Sequence, residues 1–530
     1  MRDGRVSSAP PETASLRAWI SVAGCMIGAL IAVLDIQVTN SSLREIEGGI
    51  GTGSENGTWI STSYLIGEII MIPLTDFMSR VFSFRRFLLG CLGLFLFFSM
   101  GCAFATNLTE MIILRGLQGF TGGVMIPMAF TRVLTTIPLR QQPVGLAAFA
   151  LTATFGPAIG PTIGGYLTEN YGWQYIFFIN LVPGAVMYAL LHPTLERQAM
   201  NLFLLREGDW LGIGFMAVGL AALQTVLDEG NQVGWFGSPH IVHLSIVAAV
   251  CLTIFIVVEL SVEKPAVHLR LLRMRNFGLG TTANVLVGFA LFGSIYVLPA
   301  FLTEVQGYNA EQTGIVLAWA GMPQLLIIPL VPFLQRFVDP RAIVCAGLSI
   351  FALSCLMNTH LSSNDGGDQF MMTNIVRAVG QAILIAPLAA IAMIGIPEDE
   401  AGAASGLFNM MRSLGGAVGT AALATLITER EQFHSNIIGQ SVTPYGYTVD
   451  QFVASMQRYF LQHGAGTAEV ARHEAQVLVA KLISRQALVM AISDAFLVMG
   501  AVILTAAIFV VMTRRRAMAK PSANAVANRG

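Results

Sequence analysis

Runs of about twenty apolar residues recur along this chain, and they limit what it can fold into more than any other feature. A helix needs about 20 such residues to cross the hydrocarbon core of a bilayer. Fourteen runs qualify, centred near residues 27, 68, 96, 122, 155, 182, 218, 250, 289, 322, 350, 381, 415 and 500. Only 12% of the 530 residues are charged, roughly half the share of a soluble domain. Lipid offers no partner to a bare backbone group, so such runs must be helices. The expected product is an all-α membrane protein, and an even number of crossings puts both termini on one side.

Basic loops choose that side, because cytoplasmic segments are enriched in Lys and Arg. With the N-terminus inside, the short inside segments hold 21 of the 30 basic residues, among them Arg80, Arg85, Arg86, Arg132, Arg140, Arg270, Arg273, Arg275 and Arg341. The short outside loops hold only Arg44 and carry acids instead: Glu45, Glu47, Asp228, Glu229, Glu304 and Asp365. One inside loop breaks the pattern, with Glu398, Asp399 and Glu400 and no base. A shift of one helix would destroy the asymmetry, so both termini are expected to be cytoplasmic. No cleavable signal peptide is expected, because the first apolar run is full length with no small-residue cleavage site after it. The six cysteines all fall in apolar runs without a CxxC pair, and no His cluster or phosphate-cradling loop is present. Neither a metal, a nucleotide nor another cofactor is expected, and no catalytic cluster marks an enzyme.

The chain repeats. PLTDFMSR (73–80) recurs as PLVPFLQR (329–336), and Arg115 and Pro127 are echoed by Arg377 and Pro387. Both echoes are offset by about 260 residues, a spacing expected of two homologous halves. The expected division is a cytoplasmic tail (1–16), a six-helix bundle (17–192), two inserted spans with their loops (193–276), a second six-helix bundle (277–512) and a cytoplasmic tail (513–530). A long outer loop (430–486) precedes the last span. Its patches QFVASMQRYFLQ and AEVARHEAQVLVAKLI have helical apolar spacing and are expected to be amphipathic helices.

Residues 156–165 read GPAIGPTIGG inside the fifth run. Glycines leave a face that another helix can approach closely, and prolines bend the rod. This decapeptide resembles the antiporter signature, motif C, of major facilitator transporters. LDIQVTNSSL (34–43), RGLQGFTGGVMIP (115–127), WQYIFFINLVPG (173–184) and ASGLFNMMRSLGGAVGTA (404–421) resemble further motifs of the EmrB/QacA branch, the drug:proton antiporters with fourteen spans. The resemblance implies the major facilitator fold, two six-helix bundles plus two inserted central helices. It makes Gly156, Pro157, Gly160, Pro161, Gly164 and Gly165 the gating element, and Arg115, Gln118 and Gly119 the core of motif B. Motif A, after the second span, fits in two registers. One aligns on Pro73, puts Asp76 at the motif's Gly and Arg80 at its Asp, and fits Arg85 and Arg86 well. The other sets Asp76 at the motif's Asp and Arg80 at its Arg, with Ile72 where a Gly usually stands.

Ionisable groups in spans are costly and mark function by default. Here they are Asp35, Glu68, Arg115, Arg377, Arg412 and Asp494. Burial disfavours a charged carboxylate, so such an acid can load a proton outside and release it inside. The resemblance makes Asp35 that carrier, with Glu68 as a second site or a cation contact and Arg115 as the group that modulates them. Asp494 is expected at the outer leaflet interface. The substrate cavity is expected near the midplane, among Trp59, Tyr64, Gln118, Phe120, Asn284, Phe289 and Arg412. The function implied is proton-driven export of amphiphilic, hydrophobic toxic compounds from a bacterial cytoplasmic membrane. A periplasmic adaptor and an outer-membrane channel are the implied partners, and nucleic acid is not. A symporter of a small polar solute and a membrane-embedded enzyme or sensor are the competing readings.

Overall fold

The computed structural model describes residues 13–442, 447–464 and 466–514. The outer parts of both tails lie outside the described residues. The long helices are α1 (Leu16–Ser41), α2 (Trp59–Phe82), α3 (Phe84–Ala103), α4 (Leu108–Thr136), α5 (Gln142–Tyr171), α6 (Tyr175–Thr194) and α7 (Trp210–Glu229). They continue as α8 (Pro239–Ser261), α9 (Arg275–Val305), α10 (Ala310–Leu334), α11 (Pro340–Met357), α12 (Gly367–Ala392), α13 (Ala401–Ser441) and α14 (Ala468–Val511). Among the described residues, twelve are long and apolar enough to span a membrane, or thirteen with the bent α5 taken as one span. The helix beyond those is α2, whose 24 residues include Glu68, Asp76 and Arg80. At 1.5 Å per residue it is long enough to cross, and Thr62, Ser63, Glu68 and Thr75 are buried against its neighbours.

Polar residues between the apolar runs set where helices start. Ser15, Asn107, Asp209, Asn309, Asp339 and Thr467 each accept a hydrogen bond from an amide in the first turn of the following helix. Such caps satisfy donors that the helix leaves free. α4 and α6 are broken, α4 near Gly123–Val124 and α6 around Ile179–Asn180.

α1 packs on α5 and α6, and α2 on α4; in the second half α9 packs on α13, and α11 on α12. The halves meet where α5 touches α10 and α12, and where α13 touches α2 and α4. The inserted α7 and α8 pair with each other, and α7 also lies on α2 and α13. Thr58 donates to Glu229 at 3.0 Å, and Trp235, between the inserted helices, donates to Thr425 at 2.9 Å. The insertion thus holds one helix from each half.

The stretch read as a long outer loop is mostly continuous helix. α13 runs on to Ser441 and α14 begins at Ala468, and among the described residues the helix Tyr447–Gln462 stands between them. The first amphipathic patch lies in that middle helix, and the second is the first part of α14 itself. Asp494 accepts from Arg430 at 2.6 Å and lies 2.8 Å from His434, two partners that the sequence did not point to. The reason is that α13 carries Arg430 and His434 one turn apart on the face that meets α14, and both reach the same carboxylate oxygen.

Candidate functional site

Asp35 lies in the C-terminal half of α1 and is 2% exposed. One carboxylate oxygen accepts from Arg115 Nη1 at 2.5 Å. The other accepts from Gln118 Nε2 at 2.9 Å and Asn180 Nδ2 at 2.6 Å. Arg115 also donates to the Gln118 side-chain oxygen at 2.9 Å, and Asn180 donates to Ser99 at 3.1 Å. The cluster draws on α1, α3, α4 and α6, so most of the first bundle converges on one acid. Every direct contact to the carboxylate comes from a donor, and a buried charge needs that degree of pairing. The Tyr64 ring covers the guanidinium, 4.3 Å from its centre.

Sequence reasoning named Asp35, Arg115 and Gln118. It missed Asn180 and Ser99 as partners. Asn180 stood in the quoted sixth-span motif as a polar residue inside an apolar run, and that was the available signal. It is reachable because α6 breaks at that point, so its side chain caps no helix and turns to Asp35.

The glycines explain how α1 and α2 are held. A methyl group on Gly156 would come 2.8 Å from Val33, and one on Gly160 would come 2.5 Å from Gln37 Cβ. Gly164 lies as tightly on Ser41. Positions 156, 160 and 164 thus match 33, 37 and 41, two stripes of period four that straddle Asp35. Gly165 turns the other way, toward Ala310 and Glu311, and Thr162 meets Gly314 of α10. The decapeptide is therefore a two-sided wedge, one face on the acid-bearing helix and the other on the second half. Its helix bends by 41° between Pro157 and Ile159. Pro161 has no N–H to give the carbonyl of Pro157, and Pro157 none for that of Ala153. In motif B, Gly119 and Gly123 let α4 press on the backbone of α2 at Tyr64 and Glu68.

Glu68 is 7% exposed and makes no hydrogen bond or ion pair among the described residues. The cation whose field acts on it most is Arg412 of α13, ahead of Arg115. Arg412 is also buried and has its guanidinium 5.9 Å from the ring of Phe149 on α5. Glu68 and Arg412 therefore oppose each other across the two halves without touching. Arg377 is buried in the second half, donates to the Ser294 carbonyl at 3.4 Å, and leaves its Nε unpartnered.

The other expected cavity residues are distributed differently. Tyr64 and Gln118 are fully enclosed in the Asp35 cluster. Asn284 braces α9 on α13, donating to the Phe408 carbonyl at 2.9 Å. Phe289 is half-buried with its backbone against Gly419, Trp59 is half-buried, and Phe120 is 39% exposed.

At the arginine-rich face the halves are in contact. Ser405 donates to the Pro127 carbonyl at 2.8 Å, and Phe130 stacks on Phe408 with centroids 5.9 Å apart. Asp76 pairs with Arg80 at 2.8 Å and lies on Gly402, in the first turn of α13. Arg85 and Arg86 start α3 and take no part in this pair. A carboxylate at a helix N-terminus stabilises it by about 0.3–1 kcal/mol. Asp76→Asn should therefore shift the balance toward opening at this face by roughly fivefold, about 1 kcal/mol. Labelling of a cysteine placed at Ser405 reads the shift directly, and an unchanged labelling rate would exclude a role for Asp76 in holding this face closed.

A profile of the Major Facilitator Superfamily matches residues 25–420. The chain belongs to the Major Facilitator Superfamily. Among its relatives, the colistin resistance protein EmrB of Acinetobacter baumannii is 32% identical over 86% of this chain and 89% of its own. The multidrug export protein EmrB of Escherichia coli K12 is 29% identical over 93% and 94%, and the fatty acid resistance protein FarB of Neisseria gonorrhoeae 30% over 86% and 89%. In fold, the chain is similar to the human organic anion transporter MFSD10, with a TM-score of 0.57 at 13% identity, covering 93% of this chain and 100% of that one. The xylose symporter XylE gives the same score over 93% and 94%. This superfamily consists of transporters, and the chain is a multi-pass membrane protein.

Proposed function

We propose that this transporter exports amphiphilic, hydrophobic toxic compounds in exchange for protons, by alternating access about α5. The observation that carries the reading is the Asp35 cluster. A buried acid held only by donors must give up contacts to Arg115, Gln118 or Asn180 when it takes a proton, and those donors sit on three other helices. Protonation is thereby tied to how the first bundle packs, and the α5 wedge carries that packing to the second half. The names of the EmrB and FarB relatives support drug-like and fatty cargo. Glu68 and Arg412 face each other where cargo would pass and form the second element of the exchange. Both termini would be cytoplasmic in a bacterial inner membrane. The outer helices between Arg430 and Gln486 would meet a periplasmic adaptor that leads to an outer-membrane channel.

Inside-out vesicles containing the protein test this. An acidified lumen should drive uptake of a lipophilic dye, and an ionophore that collapses the pH difference should stop most of it. Dye uptake that ignores both pH and voltage would exclude antiport. Proton-linked movement in the opposite direction would favour the symporter reading.

A further inference from the structure

The turn between the inserted helices α7 and α8 holds a strained backbone. Trp235 has φ at +51°, and among the described residues only Ser83 is another non-glycine with a positive φ. A bulky side chain rarely sits in that region, and such strain persists only where surrounding contacts impose it. Those contacts are specific here. The Trp235 N–H donates to the Gly230 carbonyl at 2.6 Å, and the indole lies so close on Gly230 that a β-carbon there would come 2.6 Å from the ring. The indole Nε1 donates to the Thr425 hydroxyl of α13 at 2.9 Å, and Asn231 donates to the Thr428 hydroxyl at 3.2 Å. Both hydroxyls give their own protons to α13 carbonyls, at Ala421 and Ala424, which leaves them as acceptors for the turn.

The same hairpin is fixed to the first half through α7. Glu229 accepts from Thr58 at 3.0 Å, and Asp228 accepts from Thr62, one turn further along. Thr425 lies about 30 Å along α13 from Ser405, at 1.5 Å per residue. The tie to the turn and the closed contact of Ser405 with Pro127 are therefore far apart on one helix. When the halves rock, α13 tilts against α2, and a hairpin that holds both must let one go. Its bonds to α2 are made by carboxylates and its bonds to α13 by neutral hydroxyls, and the charged bonds are the stronger. The strain also lies on the α13 side, so release occurs there.

We propose that this turn is a latch between the inserted pair and the second half, closed while the arginine-rich face is closed and released, with Trp235 relaxing, when that face opens. The latch presupposes the alternating access proposed above, and neither the proton nor the cargo.

Full-length protein in detergent, with a cysteine at Ser405 as the reporter of that opening, tests it. Trp235→Phe keeps a ring in the turn and removes its N–H, and Thr425→Val removes the acceptor and keeps the side-chain shape. Each should raise the labelling rate at 405 by roughly fivefold, what one hydrogen bond is worth. The double variant should go no further, because the two changes remove the same bond. Oxidising a cysteine pair placed at Asn231 and Thr428 should slow labelling at 405 below the parent rate, and dithiothreitol should restore it. Labelling that rises in Asp76→Asn but stays at the parent rate in both single variants and in the oxidised pair would overturn the latch and leave the antiport reading standing. A double variant whose rate is the product of the two single effects would overturn it as well. The expected labelling pattern together with vesicle uptake that ignores pH and voltage would support the latch and remove the antiport reading.

Discussion

Asp35→Asn should reduce proton-driven transport to background, while substrate binding in detergent stays within a few-fold of the parent. An amide in place of the carboxylate keeps the size of the side chain and one acceptor. It removes the negative charge and any capacity to take and release a proton. It also leaves Arg115, which is 1% exposed, without the one ion-pair partner it has among the described residues. Removing one partner of a buried pair typically destabilises by about 3–5 kcal/mol, so the single variant should melt lower than the parent. That loss would confuse a simple reading, and the double variant Asp35→Asn with Arg115→Gln separates the two effects. With both charges gone, the melting temperature should recover most of the loss, because no uncompensated charge remains, while transport should stay at background. Restored proton-driven uptake in the double variant would remove Asp35 from the mechanism. So would full activity in the single one.

The second large effect is expected at Gly160. Its neighbour across the helix pair is Gln37, two residues from Asp35, and the first side-chain carbon alone would come 2.5 Å from Gln37 Cβ. No rotamer relieves a clash at the β-carbon, so Gly160→Leu must push α5 away from α1. Overpacking a close-fitted site costs roughly 1–3 kcal/mol. The functional loss should be larger than the stability loss, since α5 is also the helix that meets Ala310, Glu311 and Gly314 of the second half. Transport should fall at least tenfold in protein that still inserts and binds substrate. Gly90→Leu is the control, because a β-carbon there meets nothing within 4 Å, and it should transport normally. Equal activity in the two variants would show that the close approach of α5 to α1 is not required.

Part of the acid cluster was visible in the linear chain, because a charged residue inside an apolar run is rare enough to be noticed alone. Asp35, Glu68, Arg115 and Arg412 were found that way. Ser99 and Asn180 were not, since small polar residues are common in spans and only their position relative to Asp35 gives them meaning. Asn180 is 145 residues from the acid it touches. Tyr64 looked like a cavity aromatic and turned out to be the cover of Arg115, a distinction that composition cannot make. The outer helices show the opposite limit. Their apolar spacing was legible, but that α13 and α14 run on into them without a break, and that Arg430 and His434 share the Asp494 carboxylate between those helices, appears only once they are packed together.

The apolar helices and the glycine-rich, proline-bent fifth one were legible in the sequence by itself, because bilayer thickness and the 3.6-residue period act on local stretches of chain. The tertiary structure alone decided which helix face meets which. The partners of Asp35, the opposition of Glu68 to Arg412 across the seam and the reach of Trp235 to Thr425 follow from packing between distant segments. Such packing is set by side-chain shape at the point of contact, which no local pattern records.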